Sequence, residues 1–129
     1  NIMARLYNPK IMGAPAGPYT HGAEVQAGER MIFFSGQVGA DFEGNIPADI
    51  EGQMRNAYAN IEAILTEAGM ALTDLVKMTT YLVRSDDITA FREVRNDILG
   101  DFKPAHTLLV IAGLARPEFL VEIEGFASK

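Results

Sequence analysis

Residues 103–125 read KPAHTLLVIAGLARPEFLVEIEG, and the way this stretch alternates decides how the sheet must be built. Successive side chains of a strand point to opposite faces. From Phe119 onward that rule puts Phe119, Val121, Ile123 and Gly125 on one side, and Leu120, Glu122, Glu124 and Phe126 on the other. Two carboxylates therefore aim the same way. Earlier in the stretch His106, Leu108, Val110, Ala112 and Leu114 share a side. The reading is two closing strands, with an imidazole at the start of one and a carboxylate pair near the end of the other. That pattern fits a functional site, and it fits a solvated face equally well.

Working outward, residues 87–99 read as a helix with Ile88, Phe91, Val94, Ile98 and Leu99 as its apolar stripe and Gly100 as its stop. Residues 75–83 form a strand after a turn at Thr73-Asp74. The clearest helix spans 49–68, where Ile50, Met54, Ala57, Ile61, Ile64, Leu65 and Ala68 recur at helical spacing, Asp49 caps the start and Gly69 ends it. Its other face, with Glu51, Gln53, Arg55, Asn60 and Glu67, is expected in solvent, as are Arg95 and Arg116. Residues 23–26 and 30–35 are expected to make a hairpin about Ala27-Gly28-Glu29. Residues 12–22, MGAPAGPYTHG, are too rich in Gly and Pro for an element and form a loop carrying Tyr19 and His21. A short strand is expected at 4–8.

This order predicts an α+β fold with two helices on one face of a mixed sheet, and one domain over residues 1–129. The other sheet face keeps Leu108, Val110, Leu120 and Phe126, more apolar surface than water tolerates, so a second copy of the chain is expected to cover it.

Composition removes several function classes. Eleven Lys and Arg against seventeen Asp and Glu leave a net charge of −6, with no basic run to grip a phosphate backbone, so nucleic acid is an unfavoured partner. The absence of cysteine excludes disulfides and thiolate chemistry. No apolar run approaches the roughly 18 residues of a membrane span, and a cytoplasmic setting is the default expectation. His21, His106 and Glu122 lack metal-ligand spacing, so no metal site is expected.

Gly17-Pro18-Tyr19-Thr20, Ser35-Gly36-Gln37, Gln53 and Asn56 on one helix, Ala68-Gly69, Phe91 and Val94, Pro104-Ala105 and Val121-Glu122-Ile123-Glu124 follow one another along nearly the whole chain. In this the sequence resembles the YjgF/RidA family, also labelled endoribonuclease L-PSP. The resemblance implies a chorismate-mutase-like fold, a homotrimer whose sheets close a central barrel, and small-molecule clefts between subunits. It also implies cofactor-free hydrolysis of imines or their enamine tautomers, releasing ammonia. Glu122 would then handle the attacking water, and Tyr19, His21, Ser35, Gly36 and His106 would belong to the substrate-binding cleft.

One departure bears on the substrate. The enzymatic branch of that family has an arginine after Pro-Ala, gripping the substrate carboxylate, and here the position is His106. Arginine offers a fixed charged fork, whereas histidine gives at most one donor and is mostly neutral at pH 7. Losing one partner of a desolvated charge pair costs about 2–5 kcal/mol, a weakening of roughly 30-fold to several thousand-fold. Val94-Arg95 also replaces the family's Val-Asn, and His21 stands where glutamine is commoner. An imine or enamine deaminase of altered substrate is one reading; a trimer that binds a metabolite without turning it over, and a ribonuclease or translation inhibitor, are the others.

Overall fold

A computed structural model describes residues 5–129. The first strand, β1 (Arg5–Tyr7), lies within the expected 4–8 segment, of which Ala4 falls outside the described residues. It pairs antiparallel with β2 (Gly22–Glu24) as a small sheet of its own. The expected hairpin between residues 23–26 and 30–35 does not form. Instead β3 (Met31–Val38) pairs with the last strand, β6 (Val121–Ser128). Alternation marks both segments as strands, but it does not say with which partner each pairs.

The main sheet has the order β3-β6-β4-β5, where β4 is Leu75–Leu82 and β5 is Ala105–Val110. β6 runs antiparallel to both its neighbours, and β5 lies parallel to β4. The two closing strands are therefore not neighbours: β4 separates them. The parallel β4–β5 pair needs a crossover, supplied by helix α2 (Ile88–Leu99). Helix α1 (Ile50–Glu67) connects β3 to β4. The Asp49 carboxylate caps α1 by accepting from the Gly52 amide at 2.8 Å.

Both helices lie on one face of the sheet and enclose the core. Met54, Ala57, Ile61 and Leu65 of α1, with Phe91, Val94 and Leu99 of α2, pack on Met78, Leu82, Val121, Ile123 and Ala127. The stripes read from sequence hold. Three polar residues expected in solvent do not stay there. Gln53 is fully buried, Asn60 is half-buried, and Arg95 is 3% exposed. Each binds backbone that would otherwise lack partners. The Gln53 amide nitrogen donates to the Pro47 and Glu118 carbonyls, both at 2.8 Å, and its oxygen accepts from the Leu120 amide at 2.8 Å. Asn60 donates to the Ala40 carbonyl at 2.9 Å. Arg95 donates to the Gly100 and Phe102 carbonyls, tying down the segment that leads into β5. Arg116 does lie at the surface, paired with Glu118.

The opposite sheet face is open. Phe33 and Phe126 meet there with ring centroids 5.1 Å apart, and Phe33 remains 71% exposed. Met31 and Leu109 are also exposed. Leu108 and Val110, expected on this face, stand instead on the helix side of the sheet, beside buried Thr80 and Leu82: Leu108 packs against the core, and Val110 is exposed at the end of β5. Among the described residues no helix is long and apolar enough to cross a membrane.

Candidate functional site

Residues paired across strands share a face, which divides the expected site in two. Glu122 stands opposite Tyr81 and Val38, on the open face. His106 stands beside Met78, which is buried under the helices. Within one chain, Glu122 and His106 thus lie on opposite faces of the sheet.

The first half is built around a β-bulge. Between Phe34 and Gln37 the β3 register slips against β6, so Ser35 and Gly36 together face the single residue Glu124. The Glu122 side chain lies directly over Gly36. A Cβ at that position would sit 1.9 Å from Glu122 Oε2, so only glycine leaves the carboxylate its place. The half-buried Glu122 makes no side-chain hydrogen bond with the described residues, and Ser35 is exposed beside it. Glu124 differs: its Oε2 accepts from the Tyr81 hydroxyl at 2.5 Å. One carboxylate of the pair is held and the other is unclaimed.

The second half is a pocket of about 320 Å³ between α2, the 16–19 loop and β5, walled by Gly17, Pro18, Tyr19, Phe91, Arg92 and His106. The loop is strapped to the start of β5 by a Thr20–Ala105 bridge and by the Thr20 amide, which donates to the Pro104 carbonyl at 3.3 Å. That strap brings Tyr19 to His106. The His106 ring stacks on Phe91 with centroids 5.3 Å apart, and its Nε2 lies 2.8 Å from the Thr80 hydroxyl oxygen. Burial, with the Lys77 and Arg95 cations nearby, pushes the His106 pKa down from 6.5 to about 4. At pH 7 the ring is neutral, so position 106 brings hydrogen-bonding capacity and no charge.

His21 lies outside this pocket. Its ring edge rests against Tyr19, its amide donates to Asn8 Oδ1 at 2.8 Å, and its Nε2 is 3.4 Å from the Gly13 carbonyl oxygen. It braces the loop. Two wall residues escaped the sequence reading: Phe91 counts there as core, and Arg92 is one of several charges beside the α2 stripe. Only its position one residue past Phe91, on the helix that crosses to β5, singled it out. Among the described residues no group of three or more His, Asp or Glu is placed to hold a metal ion.

Comparison with known proteins gives a consistent answer. The profile of the family described as Endoribonuclease L-PSP matches residues 11–129. A RutC family protein of Pyrococcus abyssi is 36% identical over 117 residues, 89% of each chain. A protein of Escherichia coli named as a reactive intermediate deaminase, TdcF, is 30% identical over 129 residues, 97% of each chain. Among solved structures, the Rid family protein YyfB of Yersinia pestis superposes with a TM-score of 0.88 at 27% identity, over 99% of this chain and 100% of that one. Escherichia coli TdcF with bound serine superposes with a TM-score of 0.74 at 31% identity, over 89% and 91%. With sequence likeness and fold agreeing over nearly the full length, the chain belongs to the endoribonuclease L-PSP family, the YjgF/RidA group of proteins.

Proposed function

We propose that the chain is a cofactor-free imine or enamine deaminase, acting as a single domain of a cytoplasmic homotrimer whose clefts lie between subunits. The observation that carries this reading is the Glu122 carboxylate, seated over Gly36 and left without a hydrogen-bonding partner among the described residues. An imine carbon is already electrophilic, so a positioned water and one acid–base group suffice. Glu122 orients the water and takes its proton as oxygen bonds to carbon. It returns that proton to the nitrogen, giving a carbinolamine; the new hydroxyl's proton then passes through the same carboxylate to the nitrogen as the C–N bond breaks, so that ammonia leaves and a carbonyl compound remains. Ser35 offers a hydroxyl beside the reacting atoms, and Tyr19 and His106 line the substrate's other side. In one copy these groups are on opposite faces, so the reading needs the β3 side of one subunit to meet the β5 edge of the next. The name of the TdcF relative supports the chemistry. Neutral His106 supports a substrate bound differently from one gripped by an arginine at that position.

A second reading, a trimer that binds a metabolite without converting it, draws support from the TdcF structure that holds serine. A ribonuclease is disfavoured by the net charge of −6, whatever the family's label. The deciding experiment is ammonia release from imines generated in solution. The native protein is expected to accelerate it over buffer, and Glu122→Gln to lower that acceleration by about 100-fold or more. No acceleration with any imine would leave the binding reading standing.

A further inference from the structure

Position 106 carries no charge, yet the pocket it lines is not electrically empty. Arg92 reaches over the mouth from α2, with its Nη2 4.0 Å from where a Cβ of Gly17 would sit. Arg30, Arg55, Arg84, Arg95 and Arg116 each hydrogen-bond to a carboxylate or a carbonyl within the fold. Arg92 forms no ion pair and no side-chain hydrogen bond with the described residues. No aspartate or glutamate lines the pocket, although acidic residues outnumber basic ones in the chain. Lys77 and Arg95 add positive potential close to His106. An unengaged guanidinium at the mouth of a half-apolar pocket without carboxylates is a binding arrangement for an anion.

We propose that Arg92 is the group that holds the anionic end of the ligand, and that the pocket takes a small, flat carboxylate with its unsaturated carbons against Tyr19 and the Phe91–His106 stack. Charge recognition passes from strand β5 to helix α2. The substrate keeps its carboxylate and changes its pose. This rests on the deaminase reading for the identity of the natural ligand, but the binding itself is measurable without turnover.

The experiment uses pyruvate, a stable 2-oxo acid, and its uncharged amide, each titrated into the whole protein by calorimetry. Pyruvate is expected to bind and the amide to bind at least about 30-fold more weakly, as the loss of one partner of a charge pair requires. Arg92→Gln is expected to weaken pyruvate by the same factor and leave the amide unchanged; Arg92→Lys is expected to restore part of the difference. Arg116→Gln, at the surface with Glu118, serves as the control and is expected to match the native protein. Equal affinity for pyruvate and its amide, or an Arg92→Gln protein that binds pyruvate within twofold of native, overturns the proposal, as does native protein that binds no pyruvate. Failure of the deaminase reading looks different. It is an absence of Glu122-dependent ammonia release while the Arg92-dependent affinity for pyruvate remains.

Discussion

At the scale of single residues, the burial of His106 has a consequence in acid. In the fold its pKa is pushed down to about 4, while in the unfolded chain the ring takes its proton near 6.5. The unfolded state therefore binds more protons between those values. The stability that depends on the neutral ring is complete above about pH 6.5 and is lost as pH falls towards 4. The gap corresponds to roughly 3 kcal/mol by linkage. Urea unfolding at pH 7 and at pH 4.5 is expected to show a larger loss for the native protein than for His106→Gln, which has no ring to titrate. Equal losses would mean that the ring is protonated in the fold or reaches water. The sequence names His106 as the residue that departs from its family, because a side chain's charge type is legible from its letter. The Thr80 hydroxyl and the Phe91 ring that fix its state are not legible, since they come from a neighbouring strand and from the crossover helix.

At the scale of elements, the polar residues of α1 show where hydropathy stops being informative. A 3.6-residue period identifies Met54, Ala57, Ile61 and Leu65 as the buried stripe, and they are. Gln53 and Asn60 read as solvent-facing because their side chains are polar, yet they are enclosed by loop backbone that needs partners. Gly39 packs so closely on Gln53 that a Cβ there would lie 2.3 Å from the glutamine's own Cβ, which fixes the helix against the end of β3. Gln53→Leu keeps the volume and removes three hydrogen bonds, taking the side-chain partner from the Pro47 and Glu118 carbonyls and the Leu120 amide. The expected loss is about 3 kcal/mol by urea unfolding, against less than about 0.5 kcal/mol for a change at exposed Glu67. A loss as small at Gln53 as at Glu67 would mean that water replaces the amide. The missing hairpin has the same origin. Alternation marks β2 and β3 as strands, but pairing energy is set by which edges come together, and those edges are brought by β1 and β6 from distant parts of the chain.

At the scale of the whole molecule, the open sheet face and the divided site call for the same remedy. Phe33 is 71% exposed beside Phe126, and Met31 and Leu109 continue the apolar surface across the sheet. β3 and β5, the two edge strands, carry the two halves of the site: Ser35, Gly36 and neighbouring Glu122 at one edge, His106 with Tyr19 and Arg92 at the other. Packing copies of the chain around this face would bury the aromatic pair and join one subunit's β3 side to the next subunit's β5 edge. We therefore expect the native protein to sediment as three 14.0 kDa chains. Phe33→Lys places a charge on this open apolar face and is expected to yield single chains that keep their helical circular dichroism, because the core lies on the other side of the sheet. If catalysis needs both halves, those single chains release no ammonia from imines even though Glu122 and Arg92 are intact. Single chains that remain fully active would place the whole site in one subunit and remove the intersubunit reading, whereas a Phe33→Lys protein that still sediments as a trimer would move the interface away from this face.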